Sequence, residues 1–378
     1  MSPFILITGG AGFIGRNIAE LLVSNGISVR ILDNLTPQIH GEIPSCVSWL
    51  DHDLIDFVRG SINDRNALEH SLRDITGIIH LAAETGTGQS MYEISKYYLT
   101  NSQGTALILD VLASSRVHKV SKFILASSRS VYGEGAYSSP ISNNRVYPPS
   151  RSPNQLAVQR WNPICEISGL DLIPIPTTET DPTRPASVYA ASKLAQEDLT
   201  KVVCKSLDID HVIFRFQNVY GEGQSLKNPY TGILSIFSTR IRRGIDLPIF
   251  EDGLESRDFV HVDDVAYSVV AAISSSQIIS DTINVGSGVG TTVFGVAQEL
   301  MLALEQEVPV RVTGEYRIGD IRHNIADISR LKSLLSGRPL ISLSDGLHRF
   351  AAWVKTQPLP PDLLDSANDQ LRKRNLMA

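Results

Sequence analysis

Apolar residues gather in short, nearly continuous runs: Phe4-Ile-Leu-Ile-Thr8, Val29-Arg-Ile-Leu-Asp33, Gly77-Ile-Ile-His-Leu81, Lys122-Phe-Ile-Leu-Ala126 and His211-Val-Ile-Phe-Arg215. Runs this continuous suit strands covered on both faces, because a solvated face would place polar residues at alternate positions. Between them the spacing predicts helices, as over Ile18 to Asn25 and Gly104 to Ala113. Strand and helix in alternation imply repeated βαβ units and a parallel sheet. The expected fold class is α/β, a Rossmann-type doubly wound sheet with a smaller C-terminal lobe.

The alternation fails between about Gly133 and Pro182, where prolines such as Pro140, Pro148, Pro149, Pro163 and Pro176 sit among Ser, Asn and Arg. It weakens again after about Asn218, where Asn228 to Thr231 and Ile249 to Phe259 read as loops bordering the second lobe. The chain therefore divides into a core over residues 1–217 with a loop-rich insert at about 134–182, and a lobe over 218–358 with segments returning to the core. A polar tail over 359–378 follows, expected to be a helix or partly disordered.

Composition, with 42% hydrophobic and 20% charged residues, is that of a globular protein able to build a large core. A net charge of -6 argues against a nucleic-acid partner, so any anion must be gripped locally. Cys46, Cys165 and Cys204 are odd in number and widely spaced, indicating neither a disulfide framework nor a metal site. No apolar stretch reaches membrane-spanning length, and Phe4 to Ile7 is too short for a signal-peptide core. A cytoplasmic location is expected, with no membrane partner and no metal.

Thr8-Gly-Gly-Ala-Gly-Phe-Ile-Gly15 follows the first strand and opens the first helix. Gly9, Gly12 and Gly15 let the backbone turn tightly and approach a pyrophosphate, while the N–H groups of the helix start at Phe13 and Ile14 attract its charge. Asp33, followed by Asn34, ends the second strand where a carboxylate accepts from a ribose 2′-hydroxyl and repels a 2′-phosphate, which favours NAD over NADP. Ser61 and Ile62 after the third strand are candidates for the adenine pocket.

Tyr189 and Lys193, four residues apart, share one face of a helix. Tyrosine is a poor base near neutrality, and a nearby cation favours its phenolate. Tyr92 and Lys96 repeat the spacing, so context must choose. Only the second pair lies downstream of Ser127 and Ser128 at a strand end near the topological switch, where open α/β sheets bind ligands. The first pair reads as a surface helix.

At these residues the sequence resembles the nucleotide-sugar epimerases and dehydratases of the extended short-chain dehydrogenase/reductase superfamily. The resemblance rests on GGAGFIG at Gly9 to Gly15, HLAA at His80 to Ala83, SSRSVYG at Ser127 to Gly133, YAASK at Tyr189 to Lys193, RFQNVYGEG at Arg215 to Gly223 and SRDFVHVDD at Ser256 to Asp264. It implies a triad of Ser128, Tyr189 and Lys193, with His80, Leu81, Ala82, Ala83, Asn101 and Ser127 near the cofactor. It implies a nucleoside-diphosphate sugar contacted by Asn218 and clamped through its diphosphate by Arg257 and Arg317, with Thr85, Arg129 and Asp320 on the same side. A homodimer is usual for such proteins. Within the superfamily, the stretch from Asn228 to Ser238 and the long insert look like the dTDP-L-rhamnose 4-epimerase group. Relatives there often carry paired cysteines in the insert, where this chain has only Cys165.

The activity so implied is 4-epimerisation through a 4-keto sugar. Dehydratases of the superfamily place Asp-Glu after the hydroxyl residue, and Arg129-Ser130 stands there instead. A nucleotide-sugar 4,6-dehydratase or a 4-keto reductase, and, of another class, a non-catalytic NAD-binding scaffold, are the alternatives.

Overall fold

The structure, a computed structural model, describes residues 4–41, 48–115, 118–228, 232–275, 277, 280–338 and 340–378. Cys46 and residues 229–231 lie outside the described residues. In chain order the main strands are β1 (Phe4–Thr8), β2 (Ser28–Asp33), β3 (Ile55–Arg59), β4 (Gly77–His80), β5 (Lys122–Ser128), β6 (Asp210–Phe216), β7 (Asn218–Tyr220), β8 (Ser256–His261), β9 (Asp281–Val285), β10 (Gly290–Thr292) and β11 (His323–Asn324). The main helices are α1 (Phe13–Ser24), α2 (Arg65–Ser71), α3 (Gly104–Ser114), α4 (Val188–Ser206), α5 (Ile233–Arg242), α6 (Val262–Ser274), α7 (Val293–Leu304), α8 (Leu343–Thr356) and α9 (Leu364–Arg372).

Seven strands form one sheet in the order β9-β6-β5-β4-β1-β2-β3, with every neighbouring pair parallel. Successive strand residues point to opposite faces, so each apolar run feeds two cores. Ile7, Ile79, Ile124 and Phe214 pack with Ile18 and Leu22 of α1 and Val265 and Val269 of α6. Leu6, Ile78, Phe123 and Ile213 pack on the other face with Leu68 of α2, Ile108 and Leu112 of α3, and Cys204 of α4. This is the doubly wound Rossmann arrangement, and its strand order reverses between β1 and β4, opening a crevice at the C-terminal strand ends.

The second lobe packs α5, α7 and α8 around Tyr220, Phe237, Ile241, Phe259, Leu300 and Phe350. Its small sheet runs β7-β8-β10, with β11 also on β8. Residues 256–259 fall in a stretch read from sequence as loop, yet they belong to β8, a strand buried along its whole length. The misleading signal is Arg257-Asp258: the Asp258 carboxylate sits in the interior, accepting N–H bonds from Ser287, Gly288 and Ala326. Both α6 and β9 return to the large sheet.

The Pro-rich insert is ordered. Residues 137–138, 145–146 and 173–174 make a three-stranded antiparallel sheet. A buried ion pair, Arg151 to Glu251 at 2.8 Å, and a hydrogen bond from Arg322 to Asn162 at 3.0 Å tie it to the lobe; Arg151 also lies 3.3 Å from Glu134 within the insert, and Arg322 shares Glu251 at 2.9 Å within the lobe. Trp161 packs against Tyr316, while Tyr147 bonds Asp181 within the insert. The 359–378 segment contributes α9 and then pairs backbone with residues 316–318, burying Leu364, Leu371 and Met377.

Candidate functional site

The turn after β1 has an absolute need for glycine at two positions. A Cβ on Gly9, whose φ is +68°, would lie 2.7 Å from the Ala82 nitrogen, and one on Gly15 would lie 2.6 Å from the Gly9 carbonyl oxygen and the Gly10 Cα. The turn is thereby pressed against the end of β4 and against α1 at once. Helix α1 begins at Gly12 with no side-chain cap, which leaves first-turn N–H groups for an outside acceptor. Gly9, Gly12, Phe13, Ile14 and Gly15 all line a cavity of about 490 Å³ along the crevice. A dinucleotide fits this cradle: the wall is bare backbone where a pyrophosphate has to come close.

Asp33 lies at the cavity wall, 8% exposed. Its two oxygens accept from the backbone N–H groups of Ala11 at 3.1 Å and Leu35 at 2.8 Å, so the carboxylate is fixed in place with lone pairs to spare for a ribose hydroxyl. His40 stands 3.8 Å from it. Burial lowers the His40 imidazole below its ordinary value, against the pull of Asp33. Asn34, Ser61, Ile62, Leu81, Ala82, Ala83 and Thr85 also line the cavity.

Two residues expected near the cofactor are structural supports of its wall. His80 is buried between Thr8 Oγ1 at 2.7 Å and Thr105 Oγ1 at 2.8 Å, and burial, with the Lys193 charge adding to it, holds it neutral at about 3. Asn101 sits in a π-helical turn at residues 98–103. Its amide is used up on the Glu84 backbone and Ser192 Oγ, and it is not part of the cavity lining.

Tyr189 falls in the first turn of α4 because Ser187 caps that helix, accepting the Ala190 N–H. The Tyr189 N–H is satisfied by Ser90 Oγ at 3.0 Å. Ser128, at the end of β5, caps the 3₁₀ turn at residues 129–132 and lines the cavity together with the Tyr189 phenol, close enough to lower the phenol's proton affinity. One turn along α4, Lys193 is 3% exposed and donates to the Ala126 carbonyl at 2.9 Å. Burial pushes its ammonium down to about 7, with Glu197 pulling the other way. Glu197 is held in turn by Nε and Nη2 of Arg215 and by Ser127 Oγ.

Burial raises the Tyr189 phenol above its ordinary value, and the Ser128 hydroxyl and the Arg129 charge oppose that rise. Arg129 is thus a cation whose charge acts on the phenol, and Lys193 lines the same cavity wall. Arg129 itself is pushed down to about 9, by burial first and then by Arg257, with Asp320 and Tyr189 opposing. Arg257 and Asp320 are thus near enough for their charges to act on Arg129, though neither lines the cavity. Arg257 donates to the Ser256 and Arg322 carbonyls and does not form the surface pair with Asp258 that adjacency would suggest. Arg317 lies farther out, over the Phe250 ring and bonded to Asn368. Asn218 lines the cavity beside Gln217, which is 5% exposed with neither amide atom paired. Gln217 went unnoticed in the sequence; only its place before Asn218 in the RFQNVYGEG motif pointed to it.

Tyr92 and Lys96 belong to another environment: Lys96 pairs with Glu84 and Glu93 at the surface, and Tyr92 bonds Gln370. Among the described residues no group of His, Cys, Asp or Glu is arranged to hold a metal ion.

A dTDP-L-rhamnose 4-epimerase of Burkholderia thailandensis is 38% identical over 352 residues, which are 93% of this chain and 94% of that protein. A putative UDP-glucose 4-epimerase of Methanocaldococcus jannaschii is 31% identical, over 93% of this chain and 98% of that one. Among solved structures, a UDP-glucuronic acid 4-epimerase of Bacillus cereus in complex with UDP-glucuronic acid and NAD has a TM-score of 0.76 at 26% identity. The match covers 93% of this chain and 99% of that one. A family model matches residues 5–159 and 165–286, the span that carries the glycine turn, Ser128, Tyr189, Lys193 and Arg257. With the strand order, the cradle and these matches in agreement, the chain belongs to the NAD dependent epimerase/dehydratase family.

Proposed function

We propose that this protein, with NAD bound, interconverts the C4 epimers of a nucleoside-diphosphate sugar. A dTDP-6-deoxyhexose such as dTDP-L-rhamnose is the favoured substrate and a UDP-hexose the second choice. The observation that carries the reading is the convergence of Ser128, Arg129, Tyr189 and Lys193 on the wall of the same cavity as the glycine cradle. The name of the 38% identical relative supports the sugar.

In this reading the Tyr189 phenol takes the proton from the sugar C4 hydroxyl and later returns it. Ser128 shares that oxygen, and the Arg129 guanidinium favours the phenolate as it forms. Lys193, on the same cavity wall, would hydrogen-bond the nicotinamide ribose of the bound cofactor. NAD supplies the hydride acceptor and donor for C4. Between the two transfers the keto sugar turns over, so its anchor must be the diphosphate, held by Arg257 and Arg317 while Asn218 contacts the sugar end. Dehydration needs a further acid and base beside the hydroxyl residue, and Arg129-Ser130 provides neither.

The test is incubation with dTDP-L-rhamnose and with UDP-hexoses, without added reductant, followed by NMR of the products. Interconversion of two epimers is expected, falling by roughly 10²–10⁴ in Tyr189→Phe. A product that forms only when NADH is consumed would replace epimerisation with 4-keto reduction. No turnover together with an unaffected Tyr189→Phe would leave a scaffold. The protein is further read as a cytoplasmic homodimer. Support comes from Ile94, Leu99 and Val202, exposed at 53%, 53% and 70% on helices beside the site, and from the unpaired thiols of Cys165 and Cys204. Light scattering checks the dimer.

A further inference from the structure

Residues 364–378 join the two sides of the crevice. On the lobe side, Met377 pairs antiparallel with Arg317, and Tyr316 and Ile318 exchange backbone hydrogen bonds with Ala378 and Leu376 at 2.8–3.1 Å. On the core side, Leu371 packs by Gly88, Gln370 accepts from the Tyr92 hydroxyl at 3.2 Å, and the Arg374 guanidinium stacks 4.3 Å over the Tyr92 ring. That core segment supplies Gly86 and Thr87 to the cavity wall. The lobe segment ends at Asp320, whose charge acts on both Arg317 and Arg129.

Within this strap one polar side chain points inward. Asn368 is 3% exposed, and its Oδ1 accepts from Arg317 Nη2 at 2.8 Å. Phe250 covers the guanidinium face at 4.7 Å. Arginine carries five N–H donors, and here Nε is buried with no partner. A buried charged donor left unpaired is costly, and a phosphate oxygen is the acceptor that best matches a guanidinium edge. Burial also lowers this guanidinium below its ordinary value, against Asp320 and Glu315, so an added anion is favoured there.

We infer that residues 364–378 are a working part of the diphosphate site and that Asn368 is the residue that positions Arg317 within it. This rests on reading Arg317 as a clamp on the substrate's diphosphate. Without Asn368 the long side chain regains its rotamers and is no longer held in place for an anion.

The test uses the full chain with NAD bound and isothermal titration with UDP and with dTDP, beside KM and kcat for the epimerisation. Asn368→Ala weakens both nucleoside diphosphates about tenfold, about 1.4 kcal/mol, and raises KM to match, with kcat within about twofold and NAD content unchanged. Asn368→Asp keeps an acceptor and a folded strap but cancels the guanidinium charge, so affinity falls further while the melting temperature holds. Arg317→Met weakens binding at least as much as Asn368→Ala, and the double variant is no weaker than Arg317→Met alone. If Arg317→Met binds weakly while both Asn368 variants bind as the parent does, the positioning role is refuted and the clamp stands. If Arg317→Met itself binds normally, the clamp fails and the inference fails with it. Should Asn368→Ala not fold, Asn368→Asp decides.

Discussion

Replacing Lys193 with methionine should make the protein more stable while removing its activity. Lysine ordinarily titrates near 10.5, and burial brings Lys193 down to about 7. Each tenfold change in proton affinity is worth about 1.4 kcal/mol, so holding the charged ammonium inside costs the fold roughly 4–5 kcal/mol below pH 7. Methionine has a similar stem and no charge, but it abandons the Ala126 carbonyl, which returns roughly 1–2 kcal/mol of destabilisation. The net expectation is about 3 kcal/mol of added stability at pH 6. The sign with pH follows from the depressed native value: between 7 and 10.5 the unfolded chain binds more protons, so the parent gains stability as pH rises. By pH 9 the ammonium's cost is down to roughly 2 kcal/mol, and the advantage of Lys193→Met nearly vanishes. Urea unfolding of nucleotide-free protein at pH 6 and pH 9 measures both ends. A variant less stable than the parent at pH 6, or an advantage that does not shrink by pH 9, refutes the reasoning.

Three further outcomes are expected. Gly15→Ala forces a Cβ to 2.6 Å from fixed backbone, so protein purified from it should carry little or no NAD by absorbance; a full complement of nucleotide would show that the turn yields cheaply. Asp33→Ala should relax the preference for NAD over NADP in binding titrations and lower the melting temperature, since the Ala11 and Leu35 N–H groups lose their shared acceptor. Arg322→Met removes one of the two guanidiniums on the buried Glu251 carboxylate, leaving Arg151, and removes the bond to Asn162 of the insert, at a cost of roughly 1–3 kcal/mol. Proteolysis should then cut first within residues 134–182, and an uncut insert would assign its anchoring to other contacts.

The glycine turn and Asp33 were legible in the chain because their constraints are local: a tight turn, a helix start and a strand end occupy a few consecutive residues, and each demands a specific residue type. Tyr189 and Lys193 were legible for the same reason, although Tyr92 and Lys96 show that spacing alone does not choose. What separates the two pairs is which strand end each helix meets, and that is set by the order β5-β4-β1 across the sheet. Strand β8 was hidden because its polar residues have partners more than twenty-five positions away, so burial did not appear as hydrophobicity. The 359–378 segment was hidden likewise: half its residues are polar, and its order comes from edges that residues 316–318 and 86–92 present only once folded.

Arg129 illustrates the limit most sharply. Beside Ser128 in sequence it is one more basic residue in a turn, and the lysine one helical turn beyond Tyr189 is the obvious source of positive charge. In the folded protein Lys193 is tied to the Ala126 carbonyl, while Arg129 shares the cavity wall with Tyr189 and feels the charges of both the phenol and Arg257. Two guanidiniums held together in the interior repel each other, and Asp320 offsets only part of that. On the proposed reading of Arg257 as a diphosphate clamp, a diphosphate there would restore charge balance at Arg129 as well, and a better balanced Arg129 would attract the phenolate less. The grip on the substrate's charged end and the basicity of Tyr189 are thus coupled through one pair of guanidiniums. Substituting Arg257 should therefore shift the pH dependence of kcat as well as raise KM.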